Sequence, residues 1–344
     1  MSVFLEIETS VGALPELAAV LDELDRTFGT IIQLNTSQAL DLDCGVRKVS
    51  WCPWPDEQIE LFIAGASTRG TDLILEKQGS GLKIRTCLKA LSTWTDWQLG
   101  VEAACVLSER TGAGGVLCSE DSDELLLPEQ LREQLLDKDD LYWSECMGGA
   151  AGIRHAVVEH GETVRIGGPA GLAAIGPRTW ARIGADAVSE EDLGELLLDA
   201  MRSSIEARGY DGFHLANPMI LDGRSGQSVI ALLVAPDRPT LLRDTEYILL
   251  CEDLEGTAGA PLYLLPYEDI DKAFPALVTW LDDRNCALAA IPAATWQRKI
   301  SEISPLLSEI DQFLEELPIP QPPPASRSEA PSDTVRKGFP RKFW

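Results

Sequence analysis

The sequence predicts an α+β protein with two layered domains, whose sheets are mainly antiparallel. One observation is a helix-to-strand unit between Trp94 and Cys118. Another is a series of short strands in the first half, two of them joined by the glycine-rich turn at residues 78–81. The length of 344 residues favours a second domain, and the second half again combines strands with amphipathic helices.

The unit between Trp94 and Cys118 carries the clearest local signals. Apolar and small side chains recur at every third or fourth residue, as on the buried face of a helix. Thr93 suits the N-cap, Asp96 lies in the first turn, and Gly112 follows the last periodic turn. We therefore predict a helix that begins at Trp94 and a short buried strand that ends at Cys118.

The remaining elements follow from periodicity and turn residues. In the first half we predict strands at 3–8, 30–34, 59–64, 71–77 and 82–88, a helix from Pro15 to Gly29, and a surface helix from about Pro128. In the second half we predict a helix capped by Ser189, strands at 228–235, 246–251 and 261–265, and helices at 268–283 and 294–317, the last kinked at Pro305.

Domain boundaries are predicted from composition. Met147–Gly152 is rich in glycine and resembles a linker, and a proline-rich run follows Leu317. The predicted organisation is an N-terminal α+β domain at 1–146, a C-terminal α+β domain at 153–317 and a disordered tail at 318–344 with a basic and aromatic end.

The charge balance excludes two classes of partner. The chain has 29 basic and 55 acidic residues, a net charge of −26, which argues against nucleic acid and anionic membranes. The tail is +3, so the rest of the chain is −29. Such an excess serves solubility, or it steers the chain toward a basic protein partner.

Other features bear on location and redox state. No apolar run approaches the ~18 residues of a membrane helix, and the N-terminus does not resemble a signal peptide, so we expect a cytoplasmic protein. The 8 cysteines form no C-x-x-C pair, which favours reduced, structural thiols. A cysteine nucleophile paired with a distant histidine stays open at this point.

No motif indicates a cofactor or a metal. The run Gly112–Gly115 ends a helix instead of opening one, and Gly167–Gly171 has no following lysine, so neither predicts a phosphate loop. His155, His160 and His214 lack further ligands at zinc spacing. We therefore predict no catalytic, cofactor-binding or metal residues.

One irregular segment between predicted strands combines aromatic and acidic side chains. Its tryptophans either fill the core or anchor a protein partner, because aromatic residues ringed by charge are typical of interfaces. The candidate partner-binding residues are Asp41, Asp43, Trp51, Trp54, Asp56 and Glu57.

Two stretches, 97–121 and 164–180, resemble bacterial immunity proteins of polymorphic toxin systems, including those paired with type VI secretion effectors. In these proteins a helix often ends in a glycine turn before a short strand and an acidic loop, and Thr111, Gly112, Gly115, Val116 and Asp121 match that pattern. The resemblance implies a non-enzymatic protein that neutralises a cognate toxin by direct binding. The alternatives are an adaptor or chaperone for secretion cargo and a hydrolase with a dispersed Cys/His site.

Overall fold

The computed structural model describes residues 2–10, 12, 14–36, 54, 58–78, 81–118, 125–138, 140–169, 171–206, 213–223, 228–234, 237–251 and 261–316. The predicted α+β class is confirmed, with helices at 44% and mostly antiparallel sheets. The parallel pairs found in the described ranges are two short ones. None of the helices in these ranges has the length and apolar character that crossing a membrane requires.

The strands and helices are numbered in chain order. The strands are β1 (Ser2–Ser10), β2 (Gln33–Thr36), β3 (Gln58–Phe62), β4 (Thr71–Gln78), β5 (Gly81–Lys89), β6 (Val116–Cys118), β7 (Leu125–Leu126), β8 (Val164–Gly168), β9 (Gly171–Ile175), β10 (His214–Leu215), β11 (Asn217–Asp222), β12 (Ser228–Leu233), β13 (Thr240–Leu242), β14 (Tyr247–Cys251), β15 (Leu262–Pro266), β16 (Val278–Trp280), β17 (Cys286–Leu288) and β18 (Ser308–Glu309). The helices are α1 (Leu17–Phe28), α2 (Trp94–Thr111), α3 (Pro128–Leu135), α4 (Asp140–Arg154), α5 (Pro177–Ile183), α6 (Glu190–Glu206), α7 (Ile270–Ala273), α8 (Ala293–Ile303) and α9 (Ile310–Glu316).

The chain divides into two compact units. The first comprises Met1–Ala216, Ala235–Asp244 and Phe274–Thr295, and the second comprises Asn217–Val234, Thr245–Ala273 and the chain from Trp296 onward. The second unit therefore consists of three separate stretches of sequence. The division predicted between residues 146 and 153 does not coincide with this one, since both residues lie in the first unit.

The first unit is built on a seven-stranded sheet in the order β2-β3-β4-β5-β1-β6-β7. One face of this sheet is apolar at alternate positions, and α2 packs on it across β1, β4 and β5. Helices α1 and α3 pack against α2. The opposite face carries ion pairs such as Lys83 with Glu6 at 2.8 Å and Lys89 with Asp72 at 2.9 Å.

The helix predicted from Trp94 is confirmed together with its caps. Thr93 Oγ1 accepts a hydrogen bond from the Asp96 backbone amide, and the Asp96 carboxylate accepts one from the Thr93 amide, forming a capping box. Gly112 ends the helix in the left-handed conformation, with φ 66°. The predicted buried strand is β6.

The linker predicted at Met147–Gly152 is wrong, because these residues lie inside α4. A Cβ atom on Gly149 would lie 2.8 Å from Leu91 Cγ, so this glycine permits close packing of the helix. A π-helical turn over His155–Glu159 continues α4. The cap predicted at Ser189 is confirmed, since its Oγ accepts a hydrogen bond from the Asp192 amide at 3.2 Å at the start of α6.

Smaller sheets complete the first unit. Strands β8 and β9 form a hairpin, and a second sheet has the order β10-β13-β17-β16. The turn between β16 and β17 holds Asp283, whose carboxylate accepts hydrogen bonds from the amides of Gly176, Arg178 and Thr179 at the start of α5. This turn therefore caps α5 from a distant part of the chain.

The second unit contains a five-stranded sheet in the order β11-β12-β14-β15-β18. Its core includes Leu221, Ala231, Leu249 and Leu264, against which Phe313 of α9 packs. The predicted helix at 268–283 is wrong beyond Ala273, because Val278–Trp280 pairs with β17 in the first unit's smaller sheet. The predicted kink at Pro305 is a complete break between α8 and α9.

Candidate functional site

Trp54 is the one predicted partner-binding residue within the described ranges, and it lies in the core. Its side chain is 7% exposed, and its Nε1 donates a hydrogen bond to the Pro15 carbonyl at 2.8 Å. This placement favours the core interpretation over the interface one for this indole. The other candidates, Asp41, Asp43, Trp51, Asp56 and Glu57, lie outside the described residues.

Helices α4 and α6 form a packed pair on the first unit. A Cβ atom built on Gly194 would lie 3.6 Å from Cys146, and Glu190 forms an ion pair with Arg154 at 4.0 Å. The start of α6 therefore lies beside the end of α4, so the two helices run antiparallel. The side of α4 turned to the core repeats at three- and four-residue spacing. The buried residues of α4 are Tyr142, Glu145, Cys146, Ala150 and Ile153.

Beside this buried stripe, α4 exposes two large apolar side chains. Trp143 is 37% exposed and Met147 is 40% exposed, one helical turn apart. Tryptophan and methionine are enriched in protein interfaces relative to the rest of the surface. The sequence could have indicated this exposure, because both residues are out of phase with the buried stripe of α4. It was missed because residues 147–152 were predicted to be a linker.

The exposed side of α6 is acidic. Glu191 and Glu195 make no ion pair with any residue that the structure describes, and Asp199 pairs only with Arg202, at 3.2 Å. The row lies on the helix that packs against α4. We call Trp143, Met147, Glu191, Glu195 and Asp199 the α4–α6 surface.

Two clefts of the described chain have linings without histidine or cysteine. One of about 360 Å³ is lined by Arg182, Leu196, Asp199 and Leu281. The Arg182 guanidinium donates hydrogen bonds to the carbonyls of Trp280 and Leu281, so these N–H groups stabilise the fold. The second unit has a cleft of about 400 Å³, and among its lining residues Glu309 is the one that carries charge.

Buried thiols and carboxylates of the described residues serve the fold. Burial raises the pKa of Cys87 to about 11 and of Cys105 to about 12, so both stay protonated at neutral pH. Asp282 is 2% exposed and accepts hydrogen bonds from the Ser204 hydroxyl and the Asn285 side-chain amide. Such a carboxylate is held by its neighbours and is closed to a substrate.

The glycine-rich motifs are explained by close backbone approaches. Gly168 stands in the hairpin of β8 and β9, where a Cβ atom would lie 2.0 Å from the Thr68 carbonyl oxygen. A Cβ on Gly115 would lie 2.9 Å from the Leu126 carbonyl oxygen. Gly168 is the last residue of β8, and Gly115 directly precedes β6.

Within the described ranges, one cluster of side chains could hold a metal ion: His155, Glu159 and His160, all exposed. The third histidine, His214, lies on β10. Sequence spacing did not predict this cluster, because two histidines five residues apart do not share a face of an α-helix.

Comparison of the chain with protein families, with curated proteins and with solved structures finds no match.

Proposed function

We propose that this chain is a non-enzymatic binding protein for a basic protein, and that its partner is a cognate toxin which it neutralises by direct binding. The observation that supports this proposal is the α4–α6 surface, where two packed helices expose Trp143 and Met147 on α4 and an acidic row with little ion pairing on α6. The resemblance of residues 97–121 and 164–180 to immunity proteins agrees with it.

The two parts of this surface have different roles in binding. A large aromatic side chain that becomes buried at the centre of an interface contributes most of the affinity. Acidic groups on the adjoining helix attract a basic partner over a distance and raise the association rate. The net charge of −26 extends this attraction beyond the surface itself.

A hydrolase with a cysteine nucleophile is less well supported. A nucleophilic cysteine needs a lowered pKa, whereas burial raises the pKa of Cys87, Cys105 and Cys146. The adaptor alternative has no separate support in the described residues.

The test is co-expression with each protein encoded beside the gene, followed by binding measurements on any basic protein whose toxicity is suppressed. Trp143→Ala should raise the dissociation constant about 30-fold, as for an interface anchor, through faster dissociation. The double change Glu191→Lys and Glu195→Lys should instead slow association several-fold, and so should raising the salt from about 50 to about 300 mM.

The control variants lie on α3 and beside it. Leu127 is 55% exposed and Glu129 is an exposed acid of the first turn, so Leu127→Ala and Glu129→Lys change the same chemistry elsewhere. If the controls weaken binding as much as the α4–α6 variants do, this surface is not the interface. If no neighbouring gene product is suppressed or bound, the toxin proposal fails.

A further inference from the structure

Three metal-ligating side chains meet where α4 ends in its π-helical turn. His155 Nε2 lies 3.3 Å from His160 Nε2, and His155 Nδ1 lies 2.9 Å from Glu159 Oε2. One ligand atom from each of the three residues lies within 4.8 Å of the others. The group is exposed, so a dissolved ion has direct access to it.

The π-helical turn brings the two histidines together. In an α-helix with 3.6 residues per turn, residues five apart point about 140° away from each other. Hydrogen bonds from residue i to i+5 widen the turn, so that a residue five positions later returns to the same side. Such turns are frequent at functional sites.

The end of this turn is fixed by the backbone. Gly161 adopts the left-handed conformation with φ 65° and donates its amide hydrogen to the Val157 carbonyl at 3.0 Å. The Glu162 amide donates to the Ala156 carbonyl at 3.0 Å. These two bonds close the helix directly after His160 and hold its backbone beside His155.

The distance between the two Nε2 atoms is the one that a shared cation requires. Two nitrogens bound about 2.0–2.1 Å from a tetrahedral zinc ion are about 3.3–3.4 Å apart. We propose that His155 and His160 bind a divalent transition-metal cation of the zinc class through their Nε2 atoms, with water in the remaining positions. In the unliganded pair one Nε2 donates its hydrogen to the other, and on metal binding His160 carries its proton on Nδ1 instead.

Glu159 orients the site. Its Oε2 lies 2.9 Å from His155 Nδ1, so a proton on that nitrogen faces the carboxylate and leaves the lone pair of the imidazole on Nε2. A carboxylate behind a ligating histidine fixes the ring and raises its basicity toward the metal. Glu159 is thus a positioning residue.

The surroundings favour a cation. The chain is strongly acidic, and Glu162 lies exposed two residues beyond His160. The basic residues nearest in sequence are engaged elsewhere: Arg154 reaches Glu190 at 4.0 Å, and Arg165 Nε lies 2.5 Å from Asp244 Oδ2.

The test is calorimetric titration of the full chain, without a polyhistidine tag, with Zn²⁺ alone. His155→Ala and His160→Ala should each weaken binding at one site more than tenfold, and Glu159→Gln should weaken it about tenfold, in line with losses seen for supporting carboxylates. His214→Ala is the matched control, because it removes the third histidine of the chain from β10, and it should leave binding unchanged.

A second measurement guards against misfolded variants. Zn²⁺ should raise the melting temperature of the wild-type chain, because a ligand of the native state stabilises it, and should leave that of the His155→Ala/His160→Ala double variant unchanged. The proposal is overturned if the double variant binds the same number of Zn²⁺ ions with the same affinity as the wild type. It is also overturned if the wild type takes up no Zn²⁺ at about 1 mM.

Discussion

Trp54 is held at two points of the first unit. The indole ring belongs to the main core cluster, and its Nε1 donates to the Pro15 carbonyl just before α1. Because the ring is 7% exposed, removing it leaves a cavity, whereas removing only the N–H leaves one carbonyl without its partner. The two contributions are separable by substitution.

We predict that Trp54→Ala lowers the free energy of unfolding by about 3 kcal/mol, the usual cost of deleting a buried aromatic ring. Trp54→Phe keeps most of the ring and should lower it by about 1 kcal/mol through the lost hydrogen bond. Urea unfolding of the three proteins measures both values. A Trp54→Ala protein as stable as the wild type would return this residue to the list of interface anchors.

At the scale of elements, local signals predicted local structure. The caps of α2 at Thr93 and Gly112 lie within a few residues of the atoms they bond, so the sequence contains all that is needed to place them. The surface of α4 at Trp143 was missed for the opposite reason. Its glycines resemble a flexible linker in sequence, and only the position of Leu91, far away in the chain, shows that one of them is a packing residue.

The helix predicted at residues 278–280 was wrong for a related reason. Their apolar pattern suits either a helix or a strand, and the pairing of β16 with β17 determines that they form a strand.

The candidate site depended even more on tertiary structure. The α4–α6 surface needs two helices that meet through Cys146 and Gly194, a contact that no local pattern in the sequence encodes.

Two adjacent glycines of α4 give a matched test of its packing. A Cβ on Gly148 would meet no atom within 4 Å, whereas one on Gly149 would lie 2.8 Å from Leu91 Cγ. Gly148→Ala should therefore raise the free energy of unfolding by about 0.5–1 kcal/mol through helix propensity. Gly149→Ala should lower it by about 1 kcal/mol or more through overpacking.

The unfolding midpoint in urea, at constant slope, measures the difference between these variants. Leu91 is 3% exposed, so its side chain has little room to move away from an added methyl group. Equal effects of the two substitutions would mean that α4 does not approach Leu91 this closely.

At the scale of the whole molecule, two electrostatic effects oppose each other. Ion pairs such as Lys83 with Glu6 and Arg132 with Glu102 stabilise the fold, and added salt weakens them. Ion pairs at protein surfaces contribute about 0–1 kcal/mol each, and these two are only partly exposed. Repulsion among 55 acidic residues, against 29 basic ones, destabilises the fold, and added salt weakens this repulsion as well.

We predict that repulsion dominates, so that the melting temperature rises by a few degrees as KCl increases from about 10 mM to about 300 mM. Over that range the screening length falls from about 30 Å to well below 10 Å, which removes interactions between distant charges first and leaves close ion pairs largely intact. For a chain of this size about 1 kcal/mol of stability corresponds to roughly 2–4 °C in melting temperature.

Calorimetry follows each transition separately, because the two units need not unfold together. Sucrose at equal osmolarity is the control, since it acts by exclusion from the protein surface and not by screening. A melting temperature that falls with KCl would show that the ion pairs on the sheet and helices outweigh the repulsion among the acidic residues.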